Sequence, residues 1–518
     1  MKSLLTIFCF IILFPSGISQ QITPAWTEAI DINNFSEGLP FDVIGDIDGV
    51  SYVVLSDSKR NRDKHLAINS FDAQMKKLKS INLLKKYPKL VGLKLVEKKC
   101  GNGKVFLGFN NIKSQEKEAA YVLILNKDLT VFKGLKLVKE TLFKKEKTAV
   151  KIASLHILIN PKDLKFPICI VEEMNSIYGE GFSMTATQYD INLEEKKSII
   201  GAAGLSFFSD KTLFTGKVKY YENFFELHYS EAGVFGYLAS DEVFVTGNST
   251  PFVQFNFSTN KFYSKMIPFG NKGKKSFYVK MNNRSLKLFY LVQEEPYTTL
   301  QSMNGVGVLV LGDELEIIQD KVSVFSGEQI KKAYGVERYQ FEVKKGKRKL
   351  RTLRTIYSAT SLHAMMRISD VLCSDQGDFI TIAFSYYIAG KQIWTTKGSL
   401  VVKFEANQSV AWMKGIYSEF EGSQDDSKLA IKNDKLILAY NSNVDMEDED
   451  IDKKIQGASF QVTTFDIKTG EVGNSSIFNS KPNSVSKQGI SLFEADGSVY
   501  FFGTPKGRKK ASFIALIK

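Results

Sequence analysis

The sequence predicts an all-β fold built from one repeated unit, and two observations support this prediction. First, the stretch Ser459–Phe478 has the pattern of a β-hairpin, with a strand, a tight turn at Lys468-Thr469-Gly470 and a second strand. Second, variants of this hairpin recur along the whole chain. The composition agrees, because aromatic residues favour strands and make up 12% of the 518 residues, including 39 Phe and 21 Tyr.

The repeated unit contains two hairpins, which we label A–B and C–D after their four strands. Successive A–B turns are about 54 to 62 residues apart, except for one step of about 93, and such a period is typical of a repeat architecture. The eight predicted A–B turns are at Asp46–Gly49, Cys100–Gly103, Asn160–Asp163, Glu222–Asn223, Asn282–Ser285, Asp375–Gly377, Lys432–Asp434 and Ala495–Gly497. The seven predicted C–D hairpins are Leu66–Leu83, Tyr121–Val138, Met184–Ile200, Phe252–Ile267, Val306–Ile318, Leu400–Ile416 and Ser459–Phe478.

The two ends of the chain are predicted to complete one unit together. The eighth unit has only a C strand, Ala511–Lys518, and we expect the lone N-terminal strand Pro24–Ile32 to supply its fourth strand. This pairing would lock a ring of four-stranded blades and leave few exposed strand edges. We therefore predict a single domain at residues 20–518, an eight-bladed β-propeller closed by the N-terminal strand. A seven-bladed propeller and two separate β domains are the alternatives.

One hairpin resembles a known repeat. Phe465–Val472, FDIKTGEV, is similar to the turn of the quinoprotein-type eight-bladed repeat, in which an Asp, a Thr-Gly pair and a following Trp recur. The Trp is absent here, and the other units lack Thr-Gly. The resemblance covers one hairpin, so it implies a propeller of no specific family, and no quinone or other cofactor is predicted from it.

The N-terminus has the pattern of an export signal at residues 1–19. Lys2 is followed by the apolar run Leu4–Phe14 and by small residues at Gly17-Ile18-Ser19, which predicts cleavage near Ser19 or Gln20. The apolar run is shorter than the roughly 20 residues that a membrane-spanning helix needs. We expect a secreted or periplasmic protein with no transmembrane segment after the signal is removed.

The long connections are predicted to carry the binding residues. In each unit the A–B and C–D turns must lie at one end of the ring, and the longer B–C and D–A connections at the other. The chain has a formal net charge of +13, and a basic insertion at about residues 326–355 falls in one D–A connection. The candidate binding residues in this insertion are Lys344, Lys345, Lys347, Arg348, Lys349, Arg351 and Arg354.

This charge favours a binding function. We expect a non-enzymatic scaffold that docks an anionic polysaccharide or a cell-envelope protein through its long connections. A solvated, lysine-rich loop is the alternative interpretation of the Lys344–Lys349 run. Nucleic acid is not expected as a partner, because few aromatic residues interleave with the basic ones.

The common catalytic and metal-binding motifs are missing from the sequence. The four histidines, His65, His156, His228 and His363, are isolated, and the nucleophile, zinc-protease and phosphate-loop motifs are absent. The acidic segment Asp445–Asp452 lacks the spacing of a calcium loop, so no metal site is predicted. No catalytic residue is assigned. The alternative function is a carbohydrate-active enzyme whose carboxylates converge on the central channel.

Overall fold

The structure is a computed structural model, and it describes most of the predicted strands and their turns. The described residues are 25–28, 30–31, 41–56, 66–111, 117–142, 151–176, 182–203, 225–238, 249–268, 273–282, 285–293, 305–326, 329, 332–333, 365–388, 393–421, 427–442, 459–478, 491–495, 498–503 and 511–517. Residues 1–19, the predicted signal, lie outside them.

The described chain consists almost entirely of β-strands in antiparallel sheets. It begins with two short strands, β1 (Ala25–Trp26) and β2 (Ile30–Asp31). Blade 1 contains β3 (Phe41–Ile47), β4 (Val50–Ser56), β5 (Leu66–Phe71) and β6 (Lys77–Asn82). Blade 2 contains β7 (Leu93–Gly101), β8 (Lys104–Asn111), β9 (Lys117–Asn126) and β10 (Val131–Leu142). Blade 3 contains β11 (Lys151–Ile159), β12 (Ile168–Ser176), β13 (Phe182–Tyr189) and β14 (Glu195–Ala203).

Four more blades follow the same order. Blade 4 contains β15 (Phe225–Ser230), β16 (Gly233–Leu238), β17 (Ser249–Asn256) and β18 (Lys261–Pro268). Blade 5 contains β19 (Gly273–Asn282), β20 (Ser285–Gln293), β21 (Gly305–Leu311) and β22 (Ile317–Val324). Blade 6 contains β23 (Met365–Ser374), β24 (Gly377–Ile388), β25 (Ile393–Phe404) and β26 (Val410–Glu421). Blade 7 contains β27 (Ser427–Lys432), β28 (Lys435–Ser442), β29 (Ser459–Asp466) and β30 (Val472–Phe478).

The remaining sheet joins the two ends of the chain. It contains β31 (Ser491–Ala495), β32 (Ser498–Gly503) and β33 (Ala511–Ile517), and both β1 and β2 pair with β33. In this pairing Ala25 lies opposite Leu516, and Ile30 lies opposite Ser512. The predicted closure by the N-terminal strand is therefore present, but as two short strands along one partner.

The sheets form a ring with their first strands innermost. First strands of successive sheets contact each other, at β3–β7, β7–β11, β11–β15, β19–β23, β23–β27 and β27–β31, and β31 also contacts β3. The all-β propeller predicted from the sequence is confirmed, and the alternative of two β domains is wrong. The ring contains seven regular four-stranded blades, the number that the sequence analysis gave as an alternative to eight, and one further five-stranded sheet that joins the two ends of the chain.

The hydrophobic core is divided among the spaces between neighbouring blades. Each described cluster combines residues of two consecutive sheets, as Phe289 of blade 5 and Ile380 of blade 6 do. The cluster at the closing sheet likewise joins Tyr500 and Leu516 to Val53 and Phe71 of blade 1. Because each blade buries both faces against its neighbours, the ring is held together mainly by apolar burial.

Side chains also connect each blade to the next through hydrogen bonds to backbone carbonyls. A residue of one blade donates to a carbonyl oxygen in the C–D turn of the following blade at six consecutive interfaces. These donors and acceptors are Tyr52 to Lys127, Lys136 to Leu193, Lys197 to Phe257, Lys265 to Leu315, Lys321 to Asn407, and Trp412 to Ile467. The turn carbonyls are thus satisfied by the neighbouring blade, which fixes the spacing between blades.

One predicted turn is misplaced. The A–B turn of blade 4 lies between β15 and β16, at residues 231–232, whereas it was predicted at Glu222–Asn223, which lie outside the described residues. The local signal was misleading, because Glu-Asn is a turn-like pair whereas the true turn begins with Glu231-Ala232 and relies on Gly233 at a φ of 139°. A side chain at Gly233 would collide with the carbonyl oxygen of Phe255.

Candidate binding face and channel wall

The strand bounds divide the connections between the two ends of the ring. The A–B turns include residues 48–49, 102–103 and 375–376, and the C–D turns include 72–76 and 190–194. We call their end of the ring the turn end. The B–C and D–A connections lie at the other end, which we call the connection end, and the longest of them are 204–224, 325–364 and 443–458. Long connections on a rigid scaffold are the usual carriers of binding residues.

The basic insertion leaves blade 5 at the connection end. Its candidate residues, Lys344, Lys345, Lys347, Arg348, Lys349, Arg351 and Arg354, belong to connection 325–364 and lie outside the described residues. The beginning of this connection is described and anchored. Phe325 is buried, the Ser326 hydroxyl accepts a hydrogen bond from Gln329 N at 3.1 Å, and Gln329 Oε1 accepts one from Ser326 N at 2.8 Å. This reciprocal pair is the arrangement of a helix capping box.

A second basic connection is described in full. Residues 83–92 join blades 1 and 2 through the short helix α1 (Leu83–Lys86) and a 3-10 helix at Pro88–Leu90. Leu83 and Leu90 are buried in the core between the two blades, and Asn82 Oδ1 accepts a hydrogen bond from Lys85 N at 2.9 Å. The two buried leucines and this hydrogen bond therefore anchor the connection to blades 1 and 2. Its three lysines, Lys85, Lys86 and Lys89, are exposed, and none forms an ion pair with another described residue.

The innermost strand of blade 2 continues this basic segment along the channel. Lys98 Nζ lies 2.5 Å from Asp42 Oδ2 on β3, whereas Lys99 Nζ donates to the Ile159 carbonyl on β11 at 2.9 Å. Lys98 thus binds blade 1, and its neighbour Lys99 binds blade 3. A β-bulge at Val96 shifts the register with β8, and Lys94, near the start of the strand, is exposed. Lys94 therefore lies where the connection end meets the channel.

Two further carboxylates of the innermost strands, Asp370 and Glu97, also lie beside lysines. Asp370 on β23 is buried, accepts a hydrogen bond from Leu429 N at 2.7 Å and lies 3.7 Å from Lys428 Nζ on β27. Glu97 lies 3.1 Å from Lys99 Nζ. The Asp370 contacts join neighbouring strands of the channel wall, whereas the Glu97 pair lies within β7, so the first effect of both is on the structure of the ring.

Two of the four histidines belong to inner strands, and each lies near a glutamate. His156 on β11 lies 3.2 Å from Glu173, whose side chain is buried. His228 on β15 lies 3.4 Å from Glu226 and stacks on Tyr237. The nearby His228 and then the Tyr237 hydroxyl lower the pKa of Glu226, which outweighs the opposite effect of its partial burial. His65 and His363 lie outside the described residues.

The glutamate–tyrosine pair in blade 4 is not an activated nucleophile. The Tyr237 hydroxyl donates to Glu226 Oε2 at 2.5 Å, a geometry that places a carboxylate beside a phenol. However, Tyr237 is buried in the core between blades 4 and 5, and this burial raises the pKa of its phenol far above the ordinary value. A buried phenol with a raised pKa stays protonated, so the pair serves packing.

The remaining polar features are structural within the described residues. No group of three or more His, Cys, Asp or Glu in this part of the chain is placed to hold a metal ion. Asp46 Oδ1 accepts a hydrogen bond from Gly49 N at 2.8 Å, as a hairpin turn requires. Cys100 and Cys169 are both buried and belong to no disulfide among the described residues, and burial raises the pKa of the Cys169 thiol. The acidic segment Asp445–Asp452 lies outside the described residues.

Among the residues that the structure describes, no helix has the length and apolar character required to cross a membrane. No protein-family model and no curated protein matches the chain.

The fold is similar to several solved β structures at low sequence identity. The WD40 domain of SCAP from fission yeast is 10% identical, with a TM-score of 0.40, and the match covers 95% of this chain and 97% of that chain. Polysaccharide lyase Uly1 is 10% identical with a TM-score of 0.38, covering 81% and 89%. The beta-propeller domain of the Trilobed protease from Pyrococcus furiosus is 9% identical with a TM-score of 0.34, covering 82% and 93%. We base the fold on the strand topology and take no function from these structures.

Proposed function

We propose that this propeller is an exported, non-enzymatic binding scaffold that docks an anionic ligand or a protein partner through its connection end. The proposal rests on the described connection 83–92. Three of its lysines are exposed, and its leucines are buried in the core between blades 1 and 2. The basic insertion belongs to the same end of the ring and begins from an anchored point at Ser326. A basic face on a rigid ring attracts anionic partners and speeds their association.

The channel-enzyme alternative has weaker support from the described residues. Its carboxylates would have to be free to act on a substrate. Four carboxylates of the inner strands already have a partner, since Asp42, Glu97 and Asp370 each lie beside a lysine and Glu226 lies beside His228. We therefore choose the binding scaffold.

The test is charge reversal in the insertion. The first variant changes five residues to Glu together, namely Lys344, Lys345, Lys347, Arg348 and Lys349. The second variant also changes Arg351 and Arg354 to Glu. Binding of an acidic polysaccharide and of cell-envelope extract proteins is measured at low and high salt. We expect about tenfold weaker binding and a flatter salt dependence, because electrostatic attraction between exposed charges is screened by salt.

The control reverses exposed lysines at the turn end, namely Lys76, Lys77, Lys162 and Lys165. We expect the control to bind within about twofold of the wild type. Equal binding by the wild type and both insertion variants would overturn the assignment of the insertion as the docking segment.

A further inference from the structure

Basic and apolar side chains form one continuous exposed strip between blades 1 and 2. Lys85, Lys86 and Lys89 are exposed on connection 83–92, and Lys94 is exposed on β7, which contacts the 3-10 helix of that connection. Between the lysines, Val91 is 62% exposed and Val96 is 39% exposed. We call these six residues the lysine–valine strip.

The charges of the strip are available to a ligand. None of its four lysines makes an ion pair with another residue of the described chain, whereas the next two lysines along β7, Lys98 and Lys99, bind Asp42, Glu97 and the Ile159 carbonyl. The bulge at Val96 separates Lys94, which has no ion-pair partner among the described residues, from Lys98 and Lys99, which have one. The strip therefore ends there, at the mouth of the channel.

The backbone of the strip is unsuited to pairing with an added strand. β7 is an edge strand, since it pairs within its sheet only with β8. A bulge interrupts an edge and blunts strand addition. Recognition at this place must therefore rely on the side chains, that is, on lysine ammonium groups and on valine methyl groups.

We propose that the lysine–valine strip binds an extended acidic peptide segment of a protein partner, in which acidic and apolar residues alternate. This inference rests on the proposed function and narrows its partner to a protein. The carboxylates would lie against the four lysines, and the apolar residues would cover Val91 and Val96. An acidic sugar chain offers the charges but has no apolar side chains to cover the valines, and protein interfaces combine an apolar centre with a charged rim.

The experiment measures binding to the full mature chain by fluorescence anisotropy. The probe is a labelled peptide of six Asp-Val repeats, and the competitors are poly-aspartate of equal charge and oligogalacturonate. The strip variant is K85E/K86E/K89E/K94E, and K85Q/K86Q/K89Q/K94Q is a milder version in case reversal impairs folding. The control variant K76E/K77E/K162E/K165E has the same change in net charge at the turn end.

We expect the strip variant to lose at least about tenfold in affinity for the Asp-Val peptide, and the control variant to stay within about twofold. A third variant, V91S/V96S, should weaken Asp-Val binding while leaving poly-aspartate binding unchanged. Equal losses in the strip and control variants, or an unchanged affinity of V91S/V96S, would overturn the proposal. Oligogalacturonate that competes better than the peptide would also overturn it, in favour of a sugar ligand.

The insertion variants separate this inference from the proposed function. If reversal in the insertion abolishes binding of the envelope partner and the strip variant binds it normally, the scaffold function stands and the strip is excluded. If only the strip variant loses binding of the partner, the strip is supported as the binding site and the insertion is excluded as one. If neither variant loses a partner, both proposals fail.

Discussion

At the residue scale, one ion pair with a buried carboxylate lies between two blades and not at the connection end. Asp378 on β24 is 3% exposed, and both of its oxygens accept hydrogen bonds from Lys287 Nζ on β20, at 2.9 and 3.0 Å. Gln408 Nε2 donates to the same carboxylate at 3.1 Å. The pair joins blades 5 and 6. A buried pair is costly to break, because the carboxylate that remains has lost its counter-charge.

We expect Lys287→Met to lower the free energy of unfolding by about 3 kcal/mol, measured by chemical denaturation. Adding Asp378→Asn should recover part of that loss, because the new amide carries no charge and can donate to Gln408 Oε1, which has no partner among the described residues. The control is Lys127→Met. Lys127 binds Asp48 with both side chains more than half exposed, so its loss should cost less than about 1 kcal/mol. Similar losses in the two single variants would contradict the assignment.

At the scale of the element, the C–D turn is the unit that the propeller repeats most faithfully. Each of seven turns has one residue near its end with a positive φ, between 56° and 68°. These positions hold Met75, Leu129, Leu193, Asn260, Leu315, Gln408 and Gly470. Residues other than Gly, Asn and Asp are uncommon in this backbone conformation. Four of the seven are Met or Leu and are buried between blades, so tertiary packing compensates for the local strain.

This explains why the resemblance to a known turn was found in one blade only, although all seven C–D hairpins were predicted. The resemblance of Phe465–Val472 to quinoprotein-type repeats depends on Gly470, and a side chain there would collide with the Trp412 ring, whose Nε1 donates to the Ile467 carbonyl. In the other blades the same backbone turn has a leucine, a methionine or an amide at that position. Local turn rules do not predict a leucine there, since its stability comes from the neighbouring blade.

The strain and the packing at this position can be separated by substitution to glycine. Leu193 has a φ of 62° and is 2% exposed, so we expect Leu193→Gly to destabilise by about 2 kcal/mol, because lost burial exceeds the strain that is relieved. Asn260 occupies the same place in blade 4 with a φ of 59° and is exposed. Asn260→Gly should therefore change stability by less than about 0.5 kcal/mol. Thermal denaturation measures both, and an equal effect at the two positions would contradict the packing explanation.

At the scale of the whole molecule, the sequence predicted the ring of strands better than the surface at its connection end. Short turns with Asn, Asp and Gly are local, so most A–B turns were placed correctly, for example Asn102-Gly103 and Asp375–Gly377. The lysine–valine strip was not predicted as one feature. The exposure of Val91, Val96 and Lys94 depends on how blades 1 and 2 pack together. No local pattern in the sequence reports that packing.

Ring closure makes a prediction that concerns the entire molecule. β1 and β2 pair only with β33, and Ala25 packs on the cluster that holds Leu516 and Tyr500 against blade 1. A variant lacking residues 20–31 exposes one edge of β33 and part of that cluster. We expect it to lose at least about 2 kcal/mol in the free energy of unfolding, from the apolar burial and the strand pairing that are removed.

Complementation distinguishes ring closure from a general effect of truncation. A synthetic peptide of residues 20–33, added to the truncated chain, should raise its melting temperature in a concentration-dependent manner, because a ligand of the folded state stabilises it by mass action. Leu516→Ala should be costly in the full chain, where Leu516 is 2% exposed, and less costly in the truncated chain, where its cover is already lost. Additive losses in the double variant, together with no effect of the peptide, would show that the N-terminal strands do not close the ring.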